Sequence, residues 1–314
     1  MFRHMPAVTL FLFSMSAFAQ DKGIKIAFQL NNNHIYLQGA FNDSLPAWIL
    51  LDCGAVTIVS ERLAKKATIN TKPFGNTAGI GNNTSPVQLT DSASFTFGAL
   101  RYVEKNIPVI SMDEVEGCAA QISVEKNGKI GLLKGQRKSI QPIDAVLGDK
   151  FFRRFVVEID FQKNMLTLHE PGSYLYSGNG QQVPLEYSDN HIYTMASVRV
   201  SGSLSMPGRF MVDCGSMTGV ILSTPFIKQQ NLRPPADAKE ISLCGIGGSS
   251  SSMMGTLDDL QIGEYKIKKP VTLFSEAIGG VLTRTDIAGL IGNGILRNFR
   301  VIFDYSRREM ILEK

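Results

Sequence analysis

The sequence predicts a mainly β protein built as two duplicated lobes in one chain, related by a pseudo-twofold axis. Three observations carry that prediction. The tripeptide Asp-Cys-Gly occurs twice, at Asp52-Cys53-Gly54 and Asp213-Cys214-Gly215, each time closing an apolar run, Ala47–Leu51 and Phe210–Val212. Other motifs recur around it in a fixed order. Asn33-His34-Ile35-Tyr36 returns as Asn190-His191-Ile192-Tyr193, and Gly79-Ile80-Gly81 as Gly245-Ile246-Gly247. Ala145-Val146-Leu147-Gly148 returns as Gly289-Leu290-Ile291-Gly292, followed by Arg153, Phe155, Val157 and Asp160 against Arg297, Phe299, Val301 and Asp304. Matches that keep a common order point to duplication. The third observation is local: apolar residues alternate over short runs, as in Ile24, Ile26, Phe28, Leu30 and in Val157, Ile159, Phe161, with Gly, Asn, Ser and Pro between runs. That is a strand pattern.

Taken in order, residues 1–19 read as a secretory signal peptide. Arg3 supplies the positive start, Pro6 to Phe18 the apolar stretch, and Ala17-Phe18-Ala19 the small residues of a cleavage site. The first lobe is expected over residues 20–177 and the second over 178–314. In each, the segment after Asp-Cys-Gly turns helical: Ser60 caps Glu-Arg-Leu-Ala-Lys-Lys, and Thr224-Pro225 reads as a cap with a first-turn proline. The first lobe is longer between its aspartate and its late glycine, which predicts an insertion within residues 111–140. Residues 170–187, with Pro171, Gly172, Gly178 and Gly180, read as the connection between lobes.

Composition excludes several classes of function. A chain of 314 residues that is 44% hydrophobic and 19% charged is globular, and its formal net charge of +4 comes from dispersed Lys and Arg with no nucleic-acid stripe. No segment beyond the signal is long and apolar enough for an integral membrane helix. The four cysteines, Cys53, Cys118, Cys214 and Cys244, lie far apart, without the spacing of a zinc site, and no HExxH occurs, so no metal is expected. No Gly-x-Ser-x-Gly elbow accompanies Ser216, and Gly245-Ile246-Gly247-Gly248 lacks the lysine of a phosphate loop. The repeated His34 and His191 read as equivalent strand edges.

The chemistry lies in the paired carboxylates. An aspartate ending a buried strand is costly to desolvate. Two of them at equivalent places of two halves are set to face each other across the axis and share one proton, the arrangement that activates water.

These residues resemble the retropepsin-like and pepsin-like aspartic proteases. The shared order is apolar strand, Asp-x-Gly-Ala/Ser, glycine hairpin, then two apolar residues and Gly before a strand ending in Asp-Phe/Tyr. Both halves carry it, as in exported bacterial aspartyl protease-like proteins. The resemblance implies two retropepsin-like β-barrel lobes and an aspartic endopeptidase acting on polypeptide substrate. The alternative is a catalytically silent protein that binds peptides or a partner on the same fold. It implies Asp52 and Asp213 as the catalytic pair, with Cys53, Gly54, Ala55, Cys214, Gly215 and Ser216 as loop support. Gly54 and Gly215 are expected to let the backbone turn tightly. Gly79, Ile80, Gly81, Gly245, Ile246 and Gly247 become candidate substrate-binding hairpins, and Leu147-Gly148 and Ile291-Gly292 packing segments. No cofactor is implied, a monomer suffices, and the signal points to a periplasmic or secreted protein. The family carries Thr or Ser where this chain has Cys53 and Cys214. Three roles are open for them: substitutes for the hydroxyls, a disulfide between the lobes, or a thiolate. Cys118 and Cys244 could pair separately or each be buried.

Overall fold

The computed structural model describes residues 23–119, 122–124, 130–132, 141–200, 202 and 204–314. The expected signal peptide and much of the expected insertion lie outside the described residues.

The duplication is explicit in the strand order. In the first lobe the hydrogen-bonded neighbours run His34–Phe41, Leu45–Leu51, Ala145–Leu147, Ile58–Ser60, Leu100–Ile110, Thr84–Phe97 and Lys72–Ala78. In the second they run His191–Arg199, Met206–Asp213, Gly289–Gly292, Val220–Leu222, Val271–Ser275, Gly248–Thr256 and Lys239–Gly245. Directions match as well. The strand carrying the late glycine is parallel to the aspartate strand and antiparallel to its other neighbour in both lobes.

Parallel pairing explains why each aspartate strand is apolar on both faces. Ile49 and Leu51 enter the main core while Leu50 packs on a second cluster with Tyr36, Ile58 and Val146. Phe210 and Val212 repeat the first role, and Met211 the second, beside Tyr193, Ile221 and Leu290. Alternate residues on a strand point to opposite faces, so one continuous apolar run serves two cores.

The lobes are joined by a sheet to which both contribute. Strand Ile24–Asn31 switches partners midway, pairing with Met165–His169 through Ile24 to Ala27 and with His34–Phe41 through Phe28 to Asn31. Beyond Met165–His169 the sheet continues through Val156–Asp160, Arg300–Asp304, Glu309–Glu313 and Gln181–Pro184. Val157 pairs with Phe303 and Ile159 with Val301, so the repeated strands 156–160 and 300–304 meet antiparallel about the pseudo-twofold. The connecting stretch expected over 170–187 is therefore partly strand. Its residues Gln181–Pro184 and Glu186–Ser188 are paired into the sheets.

Helices follow each aspartate loop as expected, with one shift. Ser60 caps Glu61–Lys66 by accepting the Leu63 N–H at 3.1 Å. In the second lobe the cap is Ser223, accepting from Phe226, and Pro225 lies in the first turn. Thr224 donates its hydroxyl to the carbonyls of Ser275 and Ala277, which leaves the extended Ser223 to take the cap. Two further short helices, Asp149–Arg154 and Asn293–Leu296, follow the late glycines.

Candidate active site

Asp52 and Asp213 are delivered to the lobe boundary by equivalent strands and held there by equivalent braces. The Asp52 N–H donates to the Leu147 carbonyl at 3.0 Å, and Asp213 pairs in register with Gly292. Behind them, the Asp149 N–H reaches the Ala55 carbonyl at 2.8 Å and the Asn293 N–H the Ser216 carbonyl at 2.9 Å. A Cβ on Gly148 would stand 2.2 Å from the Ala55 carbonyl oxygen, and one on Gly292 2.5 Å from that of Thr218. Only glycine permits this contact, so Leu147-Gly148 and Ile291-Gly292 pack on the aspartate loops as the repeat suggests.

Each carboxylate lies over the other lobe's glycine. A Cβ on Gly215 would stand 2.1 Å from Asp52 Cγ, and one on Gly54 2.8 Å from Asp213 Cγ. Neither glycine has a positive φ. The expected turns are present, with the Ala55 N–H on the Asp52 carbonyl at 3.5 Å and the Ser216 N–H on that of Asp213 at 3.2 Å, but their backbone does not require glycine; these positions are glycine to make room for the facing carboxylate.

The two carboxyls hydrogen-bond to each other, and each is also held by its own loop. The Gly54 N–H donates to Asp52 Oδ1 at 2.8 Å and the Gly215 N–H to Asp213 Oδ1 at 2.9 Å. Burial, then the charge of Asp213, pushes the Asp52 carboxyl well above the ordinary range. Burial raises Asp213 too, but the hydrogen bond from Asp52, loop N–H groups and the charge of His191 draw it back. Two facing carboxyls that burial raises do not ionise together, and Asp52 is the more strongly raised of the two.

Beneath the carboxyls the cysteines form a reciprocal lock. The Cys53 N–H donates to Cys214 Sγ at 2.9 Å, and the Cys214 N–H to Cys53 Sγ at 3.1 Å. The thiols in turn donate to the Val212 and Leu51 carbonyls, the residues preceding the opposite aspartates. Both cysteines are free thiols and fully buried, so the disulfide considered between them is not formed. Each sulfur is occupied as an acceptor for the other loop's amide. Burial raises both thiols above their ordinary range, which disposes of a thiolate role as well. What is left is the hydroxyl-substitute reading. Cys244, in contrast, is disulfide-bonded. The side chain of Cys118 lies outside the described residues.

Above the carboxyls is a cleft of about 730 Å³. One wall is the first lobe's apolar cluster (Leu50, Ile58, Val87, Ile110, Val146), the other the second lobe's (Met211, Ile241, Leu243, Leu273, Leu290). The glycine hairpins of both lobes meet over it. The Gly81 N–H donates to the Ile246 carbonyl at 3.1 Å and the Asn83 N–H to the Gly247 carbonyl at 2.9 Å. Their isoleucines cross: Ile80 packs on the second lobe's cluster and Ile246 on the first lobe's. A Cβ on Gly81 would meet the Gly247 carbonyl at 2.2 Å, which accounts for the hairpin glycines.

Of the residues singled out in the sequence, Asp52, Gly54, Ala55, Asp213, Gly215, Ser216, Gly79, Ile80, Gly245 and Ile246 line the cleft. Gly81 and Gly247 make the contact between hairpins, and Cys53 and Cys214 lie below. Cleft residues that the sequence reading did not place there include His34, His191 and Arg284. The repeated Asn-His-Ile-Tyr was the available signal for the histidines. Extending the pairing of Tyr36 with Leu50 and of Tyr193 with Met211 places each histidine across from its lobe's aspartate. Arg284 has no repeated counterpart. It forms a bidentate pair with Asp286 and donates to the Tyr193 hydroxyl at 3.0 Å.

The lobes also brace each other beside the site. Asn33 donates to the Met217 carbonyl and accepts from Arg297, while Asn293 donates to the carbonyls of Asn33 and Cys214. Among the described residues there is no cluster of metal-binding side chains, and no helix is long and apolar enough to cross a membrane.

Comparison with known proteins agrees with this geometry. A family model described as aspartyl protease matches residues 196–295, the part of the second lobe that holds Asp213 and the late glycine. Among solved structures, the chain is similar to the aspartic proteinase from Irpex lacteus, at 12% identity and a TM-score of 0.50. That match covers 93% of this chain and 97% of the other, and it shows a shared fold. No curated protein matches the chain.

Proposed function

We propose that the chain is an aspartic endopeptidase, hydrolysing peptide bonds between Asp52 and Asp213. The observation that carries the reading is the facing pair: two half-buried aspartates from equivalent loops of the two lobes, each lying over the other lobe's glycine at the floor of an apolar cleft. The Asp213 carboxylate takes a proton from a water held between the pair, and the water oxygen bonds to the scissile carbonyl carbon. Asp52 gives its proton to the carbonyl oxygen. The tetrahedral intermediate then collapses as a proton passes to the amide nitrogen and the C–N bond breaks. No covalent adduct with the enzyme is formed. The two apolar walls suit apolar side chains on either side of the scissile bond, and the hairpins supply backbone groups for an extended strand.

A second reading is a silent binder on the same cleft. The weak sulfur hydrogen bonds beneath the carboxyls favour it, since thiols position the loops less firmly than hydroxyls. The deciding measurement is cleavage of an unfolded protein from acid to neutral pH by wild type, Asp52→Asn and Asp213→Asn. Cleavage by wild type alone supports the hydrolase, and equal background cleavage by all three refutes it.

Export to the periplasm or medium is part of the proposal. It draws support from residues 1–19 and from the disulfide at Cys244, which suits an oxidising compartment. Both aspartates come from one chain, so the proposed active form is a monomer.

A further inference from the structure

The two roof hairpins differ at one place in their pairing. The second lobe's strand Lys239–Gly245 pairs without interruption, from Lys239 opposite Met254 to Gly245 opposite Gly248. The first lobe's strand Lys72–Ala78 slips. Pro73 lies opposite Gln88 and Gly75 opposite Val87, which leaves Phe74 as an extra residue. From Lys72 to the hairpin glycine Gly79 the chain is accordingly one residue longer than from Lys239 to Gly245. Such a bulge bends the strand and re-aims a side chain. Gly75 makes it possible. Its φ is +148°, and a Cβ there would meet nothing within 4 Å, so glycine is kept for the backbone and not for space.

What the bulge presents is a bare aromatic ring. Phe74 is 70% exposed, lines the cleft, and joins no apolar cluster among the described residues. The strand that carries it ends its sheet, leaving a main-chain edge open among the described residues, and is exposed at every position except Thr77. The second hairpin's strand instead sends Ile241 and Leu243 into the second lobe's wall and exposes Lys239, Glu240 and Ser242. An uncovered ring beside the cleft therefore belongs to the first hairpin and has no counterpart in the second.

We propose that Phe74 is a specificity-determining residue, packing on an apolar side chain of a bound polypeptide that projects beyond the two cleft walls. The inference rests on the reading of the cleft as a polypeptide site, and it adds a selectivity that the walls do not supply. At about 3.3 Å per residue, the strand from Phe74 to Gly79 sets the ring ~16 Å from where the hairpins meet. A substrate extended along the open edge has the same rise, so it reaches the ring about five positions from the scissile bond. The ring is wet in the free protein and is covered only when such a side chain arrives. That contact is far from the reacting atoms and is made equally in the ground and transition states, so it acts on KM and leaves kcat alone.

The test uses synthetic peptides with two central leucines for the walls and serine elsewhere, one further leucine being walked outward in either direction. Binding is measured to Asp52→Asn with and without Phe74→Ser, so the readout does not depend on cleavage, and Asp213→Asn serves if that background does not fold. The expected result is that one distal leucine tightens binding and that Phe74→Ser loses about 10-fold in Kd for that peptide alone. Phe74→Leu, still apolar, should keep most of the gain. With the aspartates intact, Phe74→Ser should raise KM for the same peptide about 10-fold at unchanged kcat. Equal binding with and without Phe74→Ser, a loss that falls equally on peptides lacking the distal leucine, or no binding of any peptide overturns the proposal. Phe74-dependent binding by a chain that cleaves neither these peptides nor an unfolded protein refutes the hydrolase reading and leaves this assignment standing. Cleavage indifferent to Phe74 does the reverse.

Discussion

Replacing Gly215 by alanine tests the closer of the two approaches between a loop glycine and the facing carboxylate. The added Cβ would lie 2.1 Å from Asp52 Cγ and 2.2 Å from its Oδ2, where ordinary contact needs about 3.4 Å or more. Either the carboxyl or the loop must therefore move by over ~1 Å. The equivalent change at Gly54 meets Asp213 Cγ at 2.8 Å and needs about half that movement. Overpacking of this kind costs about 1–3 kcal/mol, so Gly215→Ala should lie near the upper end and Gly54→Ala near the lower. A displacement of ~1 Å at the reacting groups costs about 100-fold in rate. Urea unfolding of both variants, with kcat/KM on a peptide substrate, measures the two effects. A Gly215→Ala protein with wild-type rate and stability, or one harmed less than Gly54→Ala, would refute the argument that these glycines exist to admit the facing carboxylates.

Cys53→Ala leaves the Cys214 amide buried without its acceptor and should destabilise by about 1–3 kcal/mol, whereas Cys53→Thr, which restores an acceptor, should cost less than half as much. Chemical denaturation of the two variants measures the difference, and thiol titration should find Cys53 and Cys214 unreactive until the protein unfolds. Asp52→Asn should remove activity and raise stability near neutral pH. The Asp52 carboxyl is raised in the folded state, so its contribution to stability is complete below the ordinary carboxylate range and lost as pH rises through the folded value. The gain from Asn should therefore vanish in acid, which urea midpoints across pH would reveal. Ile80→Ala and Ile246→Ala each remove a hairpin side chain seated on the opposite lobe and should loosen the roof by about 1 kcal/mol. Substrate kinetics should then show KM rising several-fold with kcat changed less.

Much of this architecture was legible because it is local or repeated. A continuous apolar run ending in Asp-Cys-Gly is what a strand buried on both faces looks like, and five motifs in common order are enough to expose a duplication. Ser60 was readable as a cap for the same reason, since capping involves residues three apart. Thr224 misled because its hydroxyl had a distant partner at Ser275 and Ala277, and a single sequence does not show which of two adjacent hydroxyls will be taken. Arg284 stood outside the repeat, so no pattern drew attention to it.

By itself the sequence determined the two mainly β lobes, the pairing of Asp52 with Asp213 and the positions of the hairpins, because periodicity and repetition are properties of the chain. Tertiary structure alone decided what the cysteines and glycines do. Whether two buried sulfurs bond to each other or accept each other's amide depends on where loops 161 residues apart bring them. Whether Gly54 and Gly215 serve to turn the chain or to clear space depends on a carboxylate arriving from the other lobe. In both cases the deciding partner arrives only when the lobes meet, and it is that partner that sets the role.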